Sequence, residues 1–282
     1  MRWDRGTLTA RQSELVAAWC GEPELIEDLS WGLTDTTVLR IRSRGKDLIV
    51  KAGGPDNHHL GREIMAHTTF TGPLVESGRA ATMLHASINE ALLVAGYLPG
   101  VLVEGAPDEQ NPETYLQAGR LLKAFHSQAR TADGGWETRA TAKALAWLDT
   151  DHRIDPRVES RARQCLADYR AAAAEMVPTH GDWQPRNWIS NNGAISVIDF
   201  GRFDLRPAAT DLCRLAVQQW QRDPALEAAF LRGYGADPRD GDAWPVYLLR
   251  EAIGTAVWAH QVGDGAFETQ GHRMLDQALS RF

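Results

Sequence analysis

The sequence predicts an α+β chain of two lobes: a small N-terminal lobe built on an antiparallel sheet plus a helix, and a larger, mainly helical C-terminal lobe. Three observations carry this. Short aliphatic and β-branched runs at 25–29, 36–41, 47–51, 83–88 and 92–98 crowd into the first third of the chain, separated by turn residues. From Asn111 onward, apolar residues recur mostly at helical spacing. The stretch from His180 to Asp211 interrupts that helical pattern with Asp, Asn and Gly at close, fixed intervals. Pro99-Gly100 follows the last run, so the lobes are placed at 1–98 and 99–282.

In the first lobe, Thr9-Ala10-Arg11-Gln12 has the capping-box pattern, and Leu15, Val16 and Trp19 follow at helical spacing up to Gly21. A helix is expected over 10–20. The strands at 36–41 and 47–51 are joined by a turn at Ser43-Arg44-Gly45, which predicts an antiparallel pair. Between the first two strands lies Ser30-Trp31-Gly32-Leu33-Thr34-Asp35-Thr36. Gly32, Thr34 and Thr36 can offer backbone N–H groups and small hydroxyls to phosphate in such a turn, although one glycine falls short of a glycine-rich loop. Lys51 ends the run Leu48-Ile49-Val50-Lys51, and twelve residues later Glu63 sits in a segment, 60–70, that reads as helix.

The second lobe begins with Asn111-Pro112, a cap followed by proline at the first helical position, and its helix runs to about His126. Residues 127–178 read as helix-prone, chiefly over 140–148 and 157–176, with little to suggest strand; Pro178 ends the second of these. Further helices are expected over 211–221, 224–234, 243–262 and 272–279, the second capped by Asp223-Pro224.

The interrupting stretch carries the chemistry. Asp182 and Asn187 stand five positions apart after His180-Gly181, in a loop that Pro185 keeps out of helix. In phosphoryl transfer, a loop Asp accepts the proton of the attacking hydroxyl and an Asn five residues later holds magnesium. A strand, an Asn192-Gly193 hairpin turn and a second strand then return the chain to Asp199-Phe200-Gly201, whose Asp matches a magnesium ligand. Magnesium usually takes one or two protein oxygens, and Asn187 and Asp199 supply them. In the same template a strand-end lysine contacts the nucleotide phosphates and a glutamate on the next helix positions it, the parts assigned to Lys51 and Glu63. His180 is read as shaping the loop by hydrogen bonding to backbone.

These motifs resemble the aminoglycoside phosphotransferase family, a bacterial branch of the protein-kinase-like fold. The matching pieces are His180-Gly181-Asp182, Asn187, Ile198-Asp199-Phe200-Gly201 and Asp211-Leu212. The resemblance implies that Asp211 starts a helix and braces the catalytic loop, that His126 packs or caps beneath the site, and that the nucleotide base lies against backbone near Val94 to Tyr97. ATP and GTP stay open, because backbone contacts leave no mark in side chains. Only eleven residues separate Asp199 from Asp211, too few for a peptide-docking segment, so a small-molecule acceptor is expected.

Composition narrows the partners. The chain has 282 residues, 43% of them hydrophobic and 24% charged, enough for a sizeable core. A net charge of −7 argues against nucleic acid and weakly suits a cationic substrate. Cys20, Cys165 and Cys213 form neither a disulfide framework nor a zinc pattern, and no apolar stretch reads as a signal peptide or membrane span. A cytoplasmic enzyme, monomeric or homodimeric, is the expectation. Asp204, Asp264 and Glu268 are candidate contacts for a cationic acceptor, with Trp183 as a stacking surface beside Asp182. The resemblance then implies an O-phosphotransferase that inactivates a cationic antibiotic, an aminoglycoside or a tuberactinomycin such as capreomycin or viomycin. Two alternatives are a metabolite kinase of the choline, homoserine or thioribose type, and a nucleotide-binding pseudokinase. The last is disfavoured because Lys51, Asp182, Asn187 and Asp199 are all present.

Overall fold

The computed structural model describes residues 3–32, 35–170, 172–239 and 241–282. Helix α1 (Ala10–Cys20) opens with the capping box: the Thr9 hydroxyl accepts from the Gln12 N–H and the Gln12 side chain accepts from the Thr9 N–H. Strands β1 (Glu24–Asp28), β2 (Thr37–Ser43) and β3 (Lys46–Ala52), helices α2 (His58–Thr69) and α3 (Gly72–Glu76), and strands β4 (Met83–Ser87) and β5 (Leu92–Gly96) complete the small lobe. Its sheet is antiparallel throughout, in the order β1-β2-β3-β5-β4.

Alternation along the strands decides what each face meets. Leu48, Val50 and Ala52 of β3, with Leu39 and Ile41 of β2 and Leu92 and Val94 of β5, bury against Val16 and Cys20 of α1. Leu93, one step out of phase, packs with Leu60 and Ile64 of α2 on the opposite face. Lys51 shares the phase that points away from α1. Strand alternation therefore aims its side chain at the helix carrying Glu63.

After Pro99-Gly100 come β6 (Val101–Leu102), α4 (Pro112–His126), β7 (Thr131–Asp133), α5 (Trp136–Leu148), α6 (Pro156–Asp168), β8 (Ala174–Thr179), β9 (Trp188–Asn191), β10 (Ala194–Val197), β11 (Asp204–Arg206), α7 (Cys213–Val217), α8 (Gln219–Arg222), α9 (Pro224–Tyr234), α10 (Trp244–Val262) and α11 (Gly265–Leu279). The largest core lies among these helices. Leu122 and Phe125 of α4, Phe230 of α9, Leu249 and Ile253 of α10 and Leu275 of α11 all belong to it and are fully buried. Glycines set two of its closest approaches: a Cβ at Gly119 would stand 2.2 Å from the Phe230 carbonyl oxygen, and one at Gly233 2.0 Å from that of Leu116. Alpha4 and α9 thus touch backbone to backbone. Ala66, Leu74 and Ala80 from the first hundred residues also join this core, and Val197 donates to the Arg79 carbonyl. The first hundred residues and the helices after them thus share one core.

The α+β architecture, an antiparallel sheet with helices followed by a larger, mainly helical part, is the one the sequence predicts. Its main departure lies over 127–178. The helix expected over 157–176 stops at Asp168, and 174–179 forms β8 between β7 and β11. Alanine-rich composition favours helix weakly, and ladder pairing to β7 over 174–176 and to β11 over 177–179 outweighs it here. Pro178 is tolerated because β7 pairs only residues 174–176, so Pro178 has a strand neighbour on one side alone, Leu205. The helix expected over 211–221 is broken at Gln218, with φ −124° and ψ −91°, into α7 and α8. The last helix starts at Gly265, earlier than its C-terminal apolar spacing shows.

Candidate active site

The Asn192-Gly193 turn has both residues at positive φ, 52° and 77°, the requirement of a two-residue hairpin that matches strand twist. It folds β10 back on β9 and delivers Asp199 beside the loop that holds Asp182. Asp199 itself adopts φ 64°, a left-handed conformation that Asp tolerates better than most residues. That turn lets its carboxylate face the small lobe.

Lys51 Nζ lies 2.8 and 2.9 Å from the two carboxylate oxygens of Glu63 and 3.2 Å from Asp199 Oδ1. One strand, one helix and one loop, distant in sequence, meet at a single ammonium. Burial works to lower the Lys51 pKa, but Asp199 and Glu63 outweigh it and raise it, so the group stays charged. The same contact holds the Asp199 carboxyl below its ordinary range, Lys51 being the main cause.

The catalytic-loop candidate is braced from below. Asp211 is buried and accepts from the His180 N–H at 2.8 Å and the Gly181 N–H at 2.6 Å, and it bonds His126 Nε2 at 3.0 Å. His126 Nδ1 in turn meets the Tyr234 hydroxyl at 2.9 Å. His180 ties the loop to the strand before Asp199: its Nε2 lies 3.0 Å from the Ile198 carbonyl, while its Nδ1 accepts the Asp182 N–H at 3.3 Å. Both contacts suit the neutral ring with its proton on Nε2. Gly181 has φ 80°, and a Cβ there would come within 2.3 Å of the Arg202 carbonyl oxygen. Only glycine fits.

Asp182 is 3% exposed and its two carboxylate oxygens are crowded with donors. Oδ1 accepts from Gln184 Nε2 at 2.5 Å and faces Arg214 Nε at 3.2 Å. Oδ2 accepts from Arg186 at 2.6 and 3.2 Å and from Asn187 Nδ2 at 2.9 Å. Burial works to raise the Asp182 pKa, but Arg214, Arg186 and Arg202 overcome it and hold the carboxyl far below the usual range. Arg214 is itself buried and pairs with Glu251 at 2.7 Å. These partners were not singled out in the sequence as supports for Asp182. The available signals were the arginine just before Asn187 and the one three residues after Asp211.

Asn187 gives its Nδ2 to Asp182, which leaves its Oδ1 as an oxygen donor, and the Asp199 carboxylate is half exposed. These two hard oxygens suit a magnesium ion that completes its shell with phosphate and water. Among the described residues no set of three or more His, Cys, Asp or Glu side chains is grouped as a metal cage.

The remaining candidates are placed as follows. Thr36 Oγ1 accepts from Asn57 Nδ2 at 2.9 Å, which ties the loop between β1 and β2 to the N-cap of α2. Gly32 lies in that loop with open space where a Cβ would be, and Thr34 lies outside the described residues. Val94 is buried and paired to both β3 and β4, so its backbone is occupied; Tyr97 stands just past the pairing and donates its N–H to Asp47. Trp183 is 1% exposed and packed against His180 and Trp188, so it offers no face to a ligand. Asp204 pairs with Arg206 at 3.8 Å, Asp264 caps α11 by accepting from the Phe267 N–H at 3.0 Å, and Glu268 faces His260, His272 and Arg153. Each of the three carboxylates has a partner of its own. The ring of Phe267 and the exposed Trp31 flank Arg186, each with its centroid 5.9 Å from the guanidinium carbon, and Trp258 stands between the two rings.

Comparison with solved structures finds the same fold at low identity. An aminoglycoside phosphotransferase APH(4)-Ia, a thermostable mutant in ternary complex with ADP and hygromycin B, matches with TM-score 0.69 and 15% identity, over 97% of this chain and 99% of that one. Spectinomycin phosphotransferase APH(9)-Ia in complex with ADP and spectinomycin matches with TM-score 0.64 and 13% identity, over 95% and 97%. The choline kinase LicA from Streptococcus pneumoniae matches with TM-score 0.69 and 15% identity, again over 95% and 97%. Among curated proteins no sequence match was found. The family model described as phosphotransferase enzyme family matches residues 26–246, most of the chain and every residue of the Lys51, Asp182 and Asp199 constellation, and the protein belongs to that family.

Proposed function

We propose that this phosphotransferase moves the γ-phosphoryl group of ATP or GTP to a hydroxyl of a small molecule, with Asp182 facing that hydroxyl and Lys51 holding the phosphates. The observation that carries the reading is the meeting of Lys51, Glu63 and Asp199 opposite a buried, arginine-held Asp182. A magnesium ion held by Asn187 and Asp199 would offset charge on the phosphates. Asp182 is held ionised by the arginines around it, so its carboxylate can accept a hydrogen bond from the hydroxyl. It orients the oxygen and receives the proton late, once the new P–O bond has formed and the bond to the departing diphosphate has broken.

Both Asp182 oxygens already carry donors, so an incoming hydroxyl must displace one. Arg214 is 6% exposed at its side chain, whereas Arg186 is 30% exposed and opens toward Trp31 and Phe267. Arg186 yields. The likeness to the hygromycin and spectinomycin enzymes supports an antibiotic hydroxyl, and with it resistance in the cytoplasm; the likeness to a choline kinase supports a metabolite alcohol instead.

The test is incubation of the purified protein with ATP or GTP, magnesium and a panel of antibiotics and metabolic alcohols, read as a phosphoryl adduct by mass spectrometry. Asp182→Ala is expected to abolish the adduct and keep nucleotide binding, and Asp199→Ala to lose magnesium-dependent nucleotide binding. Full turnover by Asp182→Ala refutes the assignment.

A further inference from the structure

The charge surrounding Asp182 is opposite to what a cationic acceptor requires. Three guanidinium groups, Arg186, Arg202 and Arg214, crowd this carboxylate; the opposing acids are Glu251, the surface Glu104, and Asp199, whose charge is met by Lys51. Arg202 is the least engaged of the three. Its side chain is 39% exposed, and its ion-pair partner among the described residues is Glu251 at 4.0 Å, beyond hydrogen-bond length. The positive field continues outward: Arg206 lies over Gly181, and Arg62 of α2 and Lys143 of α5 stand close enough to be felt together with Arg202. Among the described residues neither Arg62 nor Lys143 has an ion-pair partner, and Asp204 is a carboxylate that opposes this outer group. The carboxylates Asp264 and Glu268 are engaged, the first as the cap of α11 and the second with His260, His272 and Arg153. An ammonium group beside the reacting hydroxyl would meet like charge here, and an oxyanion would meet two reachable guanidinium groups that form bidentate bonds readily.

We propose that Arg186 and Arg202 form an oxyanion subsite beside Asp182, and that the acceptor carries a carboxylate or phosphate next to the hydroxyl that is phosphorylated. On binding, the acceptor hydroxyl takes the place of Arg186 on Asp182 Oδ2, and the released guanidinium closes on the acceptor's anionic group together with Arg202. Arg214 stays on Oδ1 and keeps the carboxylate oriented. This rests on the phosphotransfer reading for the hydroxyl, but the oxyanion subsite can be measured without turnover.

The probe is inorganic phosphate, titrated calorimetrically into the full chain saturated with the ATP analogue AMP-PNP and magnesium at constant ionic strength, so that the γ-phosphate position is filled along with the rest of the nucleotide site. Saturable binding is expected, weakened about tenfold or more in Arg186→Gln and in Arg202→Gln and restored in part by Arg186→Lys. AMP-PNP affinity should not move in Arg186→Gln, which also shows that the variant is folded. No saturable phosphate binding overturns the subsite. Binding that survives both substitutions, as at the cavity holding Arg222 and Arg273, overturns it equally. With turnover in hand, paired hydroxy acids and amino alcohols decide the acceptor class. Preference for the acids, with KM rather than kcat damaged in Arg186→Gln, supports the proposal; preference for the amino alcohols refutes it while leaving phosphotransfer standing.

Discussion

Replacing Arg214 by methionine separates the work of orienting Asp182 from that of binding substrate. Methionine keeps most of the side-chain volume but removes the charge that lies 3.2 Å from Asp182 and 2.7 Å from Glu251. Two effects follow. Breaking a buried pair by deleting one partner costs about 3–5 kcal/mol, because the orphaned carboxylates lose their compensation, and Glu251, 24% exposed, places this case toward the lower end. At about 2–4 °C per kcal/mol for a domain of this order of size, the melting temperature should fall by roughly 6–12 °C. The second effect is on acidity. Arg214 is the foremost attraction opposing the burial of Asp182, so its removal lets desolvation push the carboxyl upward. Wild-type kcat/KM should show no acid limb from Asp182 at workable pH, because the group is ionised throughout. In Arg214→Met, activity should fall as pH drops through the raised pKa and recover above it. Thermal melts and a pH profile of kcat/KM measure the two separately. Unchanged melting, or an acid limb identical to wild type, would refute the claim that Arg214 holds Asp182 in its charged form.

Other outcomes follow from the same geometry. Glu63→Gln leaves Lys51 only its 3.2 Å contact with Asp199 as an ionic anchor, so the KM for nucleotide should rise about tenfold, the equivalent of one charge-assisted bond, with the fold intact by circular dichroism. His67 is held down at about 4 by burial and by Lys51, so between pH 6.5 and 4 the unfolded chain takes up a proton that the folded chain refuses. Urea midpoints should therefore fall as pH drops through that window, and the slope should shrink in His67→Gln; an unchanged slope would show that His67 is not the source. Gly181→Ala places a Cβ against the Arg202 carbonyl in a left-handed backbone, which should cost about 1–3 kcal/mol or more of stability in denaturant titration and reduce kcat by moving Asp182.

Much of this molecule was legible in the sequence because its signals are local. A capping box and an Asn-Gly turn act within a few residues, so Thr9 and Asn192 announce their conformations without help from the rest of the chain; the left-handed turn at Asp199, two residues before Gly201, was not announced in this way. Strand alternation is equally local, and it puts Lys51 out of phase with Val50 and Ala52 on the face that meets Glu63. The strand at 174–179 was illegible for the opposite reason. Its ladder partners lie at 131–133 and 204–206, and alanine-rich composition gives no hint of them.

The sequence by itself determined the α+β two-lobed fold and the order of the motifs, because hydrophobic period and turn chemistry are properties of neighbouring residues. Only the tertiary structure decided what surrounds Asp182. Arg186, Arg202 and Arg214 come from the loop that holds Asp182, the segment after Asp199 and α7, and Glu251 from α10; Trp183, the neighbour in sequence, turns into the core instead. Electrostatic energy depends on separation in space, and the charges that hold this carboxylate ionised converge only when distant elements pack.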